Sequence, residues 1–205
     1  ECADEIHVAT GVRIRQPVTA ATAPRVRFGD SYVRSAPPSR SLIRRVTRTM
    51  RTRLHEAARP AVAGRDLAVV ETLYLTGMRA NELIHLDVDD LYPGKGATGQ
   101  IHIRFGKGAY GSGPRVRWVP MLDGLRELLA WYTSKVRPRL QPRRSRALFV
   151  SATNGRLSYG AVQECLDRGL RVAHIKRGRF SLHRLRHARA THLFEAGMDL
   201  VAIQL

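Results

Sequence analysis

Arg79, Lys107, His183 and Arg186 are the residues whose types and contexts could do chemistry. Arg79 lies in Thr76-Gly77-Met78-Arg79-Ala80-Asn81-Glu82-Leu83, and Lys107 in Gly106-Lys107-Gly108. His183 and Arg186 stand three residues apart in Ser181-Leu182-His183-Arg184-Leu185-Arg186-His187. Two guanidinium groups can each fork onto one phosphate. Cleaving a phosphodiester puts extra charge on the equatorial oxygens of a five-coordinate phosphorus, and donors must be aimed there beforehand. A lysine on a glycine-flanked loop can protonate a departing oxygen. A histidine can exchange a proton near neutral pH. Each residue alone is an ordinary surface or cap residue; their order and contexts together point to phosphate handling.

These side chains need a frame. Residues 1–40 carry Pro17, Pro24, Pro37 and Pro38 and short alternating runs, and are expected to form an extended basic arm or linker. From Arg40 to Ala58, Leu42, Val46, Met50 and Leu54 recur every four residues, predicting a basic helix that either lies along a DNA backbone or is a solvated amphipathic face. Leu67, Val70, Leu73 and Tyr74 predict a helix closed by Gly77. A second begins near Arg79. Strands at Gln100–Phe105 and Val116–Pro120 flank a glycine-rich loop, a hairpin presenting Lys107. Leu122 to Val136 reads as a helix, Leu148-Phe149-Val150 as a short buried strand, and Ser158 as the cap of a helix reaching about Val172. Arg186–Glu195 is expected to be helical with His183 just before it, and Asp199 to cap one more helix over Leu200–Leu205. The fold class is therefore α+β: a mostly helical domain with a small antiparallel β-sheet or hairpin.

The chain has 205 residues and a formal charge of +18, from 35 Lys+Arg against 17 Asp+Glu. Only four of the basic residues are lysine, leaving 31 arginines. Arginine's planar fork suits phosphate, so a polyanionic partner and salt-sensitive binding follow. Cys2 and Cys165 are too few and too far apart for a disulfide framework or a metal knuckle. No apolar run approaches the roughly 20 residues that span a bilayer. The expected setting is cytoplasmic and nucleoid-associated, with no membrane partner, no metal and no cofactor.

In order and context, these motifs resemble those of the tyrosine recombinase (phage integrase) family. The segment around Arg79 is similar to its first-arginine motif, Arg104-Phe105-Gly106-Lys107-Gly108 to its hairpin lysine motif, and His183-Arg184-Leu185-Arg186-His187 to its His-x-x-Arg motif. Gly197-Met198-Asp199-Leu200 continues in the same manner, so the resemblance covers about residues 60 to 205. It implies a catalytic domain over 41–205 in which Arg79 and Arg186 clamp the scissile phosphate. Lys107 would serve as general acid and His183 would assist proton transfer, with Glu82 and His187 in support. A tyrosine would form a 3′-phosphotyrosyl intermediate, and the complete protein would act as a tetramer on two DNA duplexes. Arg184 departs from the acidic residue usual at its position. Tyr32, Tyr74, Tyr92, Tyr110, Tyr132 and Tyr159 all precede His183, and none matches the nucleophile motif. The nucleophile is therefore expected after Leu205, and this chain alone is expected to bind DNA without cleaving it. The alternatives are a nonenzymatic DNA-binding relative, a type IB topoisomerase-like enzyme, and a basic nucleic-acid-associated protein with accidental motifs.

Overall fold

A computed structural model describes residues 36–106, 115–140, 145–151, 155–178 and 180–199. These residues belong to one compact unit. At its centre is helix α2 (Pro60–Thr76), with proline in its first turn, where no intrahelical N–H is needed. The sequence shows a stripe on this helix; the structure buries nearly all of it from Gly64 to Tyr74. Helices α1 (Arg40–Thr52), α4 (Leu125–Trp131), α5 (Tyr159–Val172) and α6 (Leu182–Glu195) all pack on it.

A helix buried all round must satisfy its polar side chains internally. Asp66 takes Arg65 Nη2 at 2.8 Å and Arg168 Nε at 2.5 Å. Glu71 takes Arg51 Nη2 at 2.8 Å on both oxygens. Tyr74 Oη lies 2.9 Å from His192 Nδ1, and Arg40 donates to the His192 carbonyl at 2.7 Å, tying α1, α2 and α6 together. Burial pushes the His192 pKa down, against the opposing pull of Glu195, so the imidazole there is neutral.

On α1 the buried residues are Ile43, Val46 and Met50. The four-residue spacing read from sequence drifts round a 3.6-residue helix, so Leu42 is only partly buried and the helix ends before Leu54. A tight turn, Leu54–Glu56, follows. Helix α1 meets α5 at Gly169, where a β-carbon would lie 2.5 Å from Met50 Sδ.

Gly77 ends α2 at φ 63°, donating its N–H to the Leu73 carbonyl at 3.0 Å. The chain turns into α3 (Ala80–Ile84) and reaches a three-stranded antiparallel sheet, β1 (Leu91–Tyr92), β2 (Gln100–Gly106) and β3 (Arg115–Pro120). Ile101 faces Val119 and Ile103 faces Arg117, setting Ile101, Ile103 and Val119 into the core. On the other face His102 stacks on Trp118 at 4.3 Å. Arg104 bonds Asp90 at 2.7 Å and Asp87 at 2.6 Å, fixing β2 to the turn before β1. Lys107 and the rest of the hairpin loop lie outside the described residues.

Three expectations are corrected. The helix expected over Leu122–Val136 begins at Leu125, after Gly124, and passes from α4 into a widened turn, Tyr132–Val136. Leu148-Phe149-Val150 is buried but forms no strand; among the described residues there are only isolated bridges, Ala147 with Asp87 just before it and Val150 with Arg156 at its end. Side chains take the place of a ladder. Arg137 bonds the carbonyls of Ser145 and Ala147 at 2.6 and 2.8 Å, Tyr132 Oη bonds that of Leu148 at 3.1 Å, and Arg65 that of Val150 at 3.1 Å. Finally, α6 starts at Leu182, because Ser181 Oγ accepts the Arg184 N–H at 3.2 Å. His183 therefore sits inside the helix. The helix expected after Asp199 lies outside the described residues.

Gly77→Ala places a β-carbon in the left-handed region. Urea denaturation should show a loss of about 1–2 kcal/mol with an unchanged m-value.

Candidate active site

The site is built where α2 ends, α3 begins and α6 passes. Arg79 is the residue before α3, in extended conformation (φ −73°, ψ 149°). Three residues on, Glu82 turns back and accepts the Arg79 backbone N–H at 2.8 Å on Oε2. Its Oε1 accepts Arg79 Nη1 at 3.1 Å. Across the domain Arg117 of β3 grips both oxygens, Nη1 to Oε1 at 2.8 Å and Nη2 to Oε2 at 2.7 Å. The Glu82 carboxylate thus receives four hydrogen bonds while only 2 % exposed. Burial alone would raise its pKa. The Arg117 bonds and the Arg79 backbone N–H outweigh that and hold it below the usual carboxylate range.

Arg186, on α6, reaches over to the Gly77 carbonyl at 2.5 Å. That carbonyl belongs to the residue that caps α2. Burial and the nearby Arg79 push the Arg186 pKa down, Glu82 opposes this, and Arg117 adds to it. The guanidinium group stays charged, buried first and crowded second by like charges that an anion would offset. A cavity of about 170 Å³ opens here, lined by Arg79, Asn81, Tyr159, His183 and Arg186 among others.

His183, one turn before His187 on α6, has its Nε2 2.7 Å from His187 Nε2, with the rings at 88°. One nitrogen must carry the proton and the other accept it, so the pair shares a proton at the edge of the cavity. Arg184 donates to the Ala36 carbonyl at 3.2 Å.

The structure therefore brings Arg79, Glu82, His183 and Arg186 to one place, with His187 paired to His183. Lys107 and Tyr110 fall outside the described residues. Arg117 was not found from sequence. Its signal was there: it alternates in phase with Val119 on the inward face of β3, and an inward arginine requires a carboxylate. Tyr159 was likewise passed over, yet among the described tyrosines it alone lines this cavity. Tyr74 and Tyr132 are buried in the core, and Tyr92 packs against Trp118 on the sheet. The largest cavity described, about 650 Å³, lies apart against Met50, Val62 and Val172 and contains none of these groups. Among the described residues no cluster of three His, Cys, Asp or Glu side chains could hold a metal ion. None of the described helices is long and apolar enough to cross a membrane. Chemically, the arrangement can hold a phosphodiester in two guanidinium forks and exchange a proton beside it.

Residues 44–205 match the family model described as the phage integrase family. The chain is 37% identical over 145 residues to the tyrosine recombinase XerC of Pelotomaculum thermopropionicum, covering 68% of this chain and 44% of that protein. It is 35% identical over 141 residues to the tyrosine recombinase XerD of Staphylococcus aureus, with the same coverage of 68% and 44%. The chain thus spans less than half the length of these curated relatives. Its fold is similar to that of XerA recombinase, with TM-score 0.64 and 23% identity over 83% of this chain and 55% of that one. It is also similar to XerH site-specific recombinase bound to difH substrate in a pre-cleavage complex, with TM-score 0.65 and 22% identity over 83% and 46%.

The folded Glu82 carboxylate keeps its charge at a pH where an unfolded one, with pKa near 4.5, is protonated. Its contribution to stability is complete above that unfolded value and is lost as pH falls through the folded value. Glu82→Gln should cost about 3 kcal/mol at neutral pH, because two arginines lose their shared counter-charge. It should also flatten the acid limb of stability against pH. Urea midpoints measured across that range check both; parallel curves for the two proteins would assign the acid limb to other carboxylates.

Proposed function

The chain belongs to the phage integrase family, and from that premise we propose that its parent protein is a site-specific DNA recombinase. The observation that carries this reading is the convergence of Arg79 and Arg186 on one small cavity, with Glu82 and Arg117 behind them. Double-stranded DNA carrying a recombination site is the substrate. The exposed Arg44, Arg45 and Arg48 of α1 add backbone contacts that neutralise neighbouring phosphates.

In the proposed reaction Arg79 and Arg186 hold the non-bridging oxygens of the scissile phosphate and stabilise the charge that grows there. A tyrosine expected beyond Leu205 attacks phosphorus and gives up its phenolic proton, with His183, coupled to His187, assisting that transfer. The bond from phosphorus to the 5′-oxygen breaks, and Lys107 delivers the proton that this oxygen takes up. The 3′-phosphotyrosyl link conserves the bond, so a 5′-hydroxyl from a second duplex can reverse the step. Glu82 positions Arg79. The complete protein works as a tetramer on two duplexes, in the cytoplasm at the nucleoid.

A nicked suicide duplex should trap the full-length protein as a covalent adduct. Arg79→Ala or Arg186→Ala should slow cleavage by about 10²–10³-fold. The same changes should reduce the slope of log affinity against log salt by about one. Affinity should fall far less than rate, since the clamp acts on transition-state charge. Equal losses in both would overturn the catalytic assignment, and supercoil relaxation indifferent to sequence would favour a topoisomerase.

A further inference from the structure

Tyr159 sits at the edge of the phosphate cavity with no role in the scheme above. It is the first residue of α5 and 55 % exposed, among the more exposed large side chains of the described residues. Its backbone is well fixed: Ser158 Oγ accepts the Ala161 N–H at 3.2 Å, and Val162, Cys165 and Leu166 root the following turns in the core. Among the described residues its hydroxyl has no hydrogen-bond partner. Such a ring neither stabilises the core nor anchors the helix. An amphipathic aromatic with a free polar tip, rigidly mounted beside two phosphate-binding arginines, has the form of a ligand contact.

We propose that Tyr159 is a DNA-backbone contact of the cleavage site, its hydroxyl donating to a phosphate oxygen next to the phosphate held by Arg79 and Arg186. The proposal rests on the recombinase reading. The arginines supply charge; Tyr159 supplies a neutral donor at a fixed position. It therefore sets the register of the strand in the cavity without releasing counterions. No bond to Tyr159 is made or broken.

That difference in charge gives the test. The full-length protein, Tyr159→Phe and Arg186→Ala are titrated with the duplex that the wild-type protein selects from a randomised pool, at several salt concentrations. Tyr159→Phe keeps the ring and removes only the hydroxyl, so folding is preserved. It should weaken binding by about 2-fold to 10-fold, the worth of one hydrogen bond, with an unchanged salt slope. Arg186→Ala should lower the slope. If Arg186→Ala lowers the slope and Tyr159→Phe binds like wild type, the contact is refuted and the recombinase reading stands. Should Arg186→Ala change neither slope nor cleavage, the reading falls and takes the contact with it. Mass spectrometry of the trapped adduct completes the test: DNA attached to Tyr159 would overturn the proposal by making this residue the nucleophile.

Discussion

One buried carboxylate, Glu82, organises the positive end of this domain. Arg79 Nη1 and Arg117 Nη1 both bond its Oε1, at 3.1 and 2.8 Å, so the two nitrogens lie no more than about 6 Å apart. At an effective dielectric near 20, like charges at that distance repel by about 3 kcal/mol, whereas each guanidinium–carboxylate pair attracts by about 4 kcal/mol. The two attractions win. The margin shrinks on the Arg79 side, where the side chain is 42% exposed and water screens it. A single acid can therefore hold two arginines side by side, one of them aimed into a cavity.

The rest of the fold serves that placement by an economy of backbone groups. The Gly77 cap leaves a carbonyl at the end of α2, and Arg186 takes it. The α3 terminus leaves the Arg79 N–H, and Glu82 takes it. Helix ends always present such groups. Here their partners are Arg186 itself and the carboxylate that holds Arg79, so both arginines of the proposed clamp are oriented through the bonds that terminate the helices. Burying α2 on all sides keeps those termini in register, and its buried acids, Asp66 and Glu71, are each met by arginines from neighbouring helices.

What was legible in the sequence was local. Gly77 as a helix stop, Ser158 as a cap, the hairpin strands and the contexts of Arg79 and Arg186 all depend on residues within a few positions of each other. The family followed from their order. What was not legible depends on partners distant in sequence. Arg117 meets Glu82 across 35 positions, and its role emerges only once β3 is paired in register with β2. Residues 147–150 have strand-like composition, but Arg137, Tyr132 and Arg65 occupy carbonyls that a strand would have offered to a neighbour. The start of α6 is a different failure, since Ser181 carried a local capping signal that went unused, and the helix was expected to begin only at Arg186.

Burial, and after it the neighbouring Arg79 and Arg117 charges, lowers the basicity of Arg186. Three arginines crowd around one carboxylate, and burial adds to the cost of their charge. Such crowding lowers the stability of the empty domain, yet it is the condition for recognising an anion. If Glu82 were joined by a second acid in the cavity, the arginines would be neutralised and the phosphate would have to displace a carboxylate. With one acid held behind the cavity, the net charge in front remains positive, and the phosphodiester of the proposed reaction would complete the set of counter-charges. In the proposed reaction, more charge on the equatorial oxygens would complete it better, so the imbalance would favour the transition state over the bound ground state.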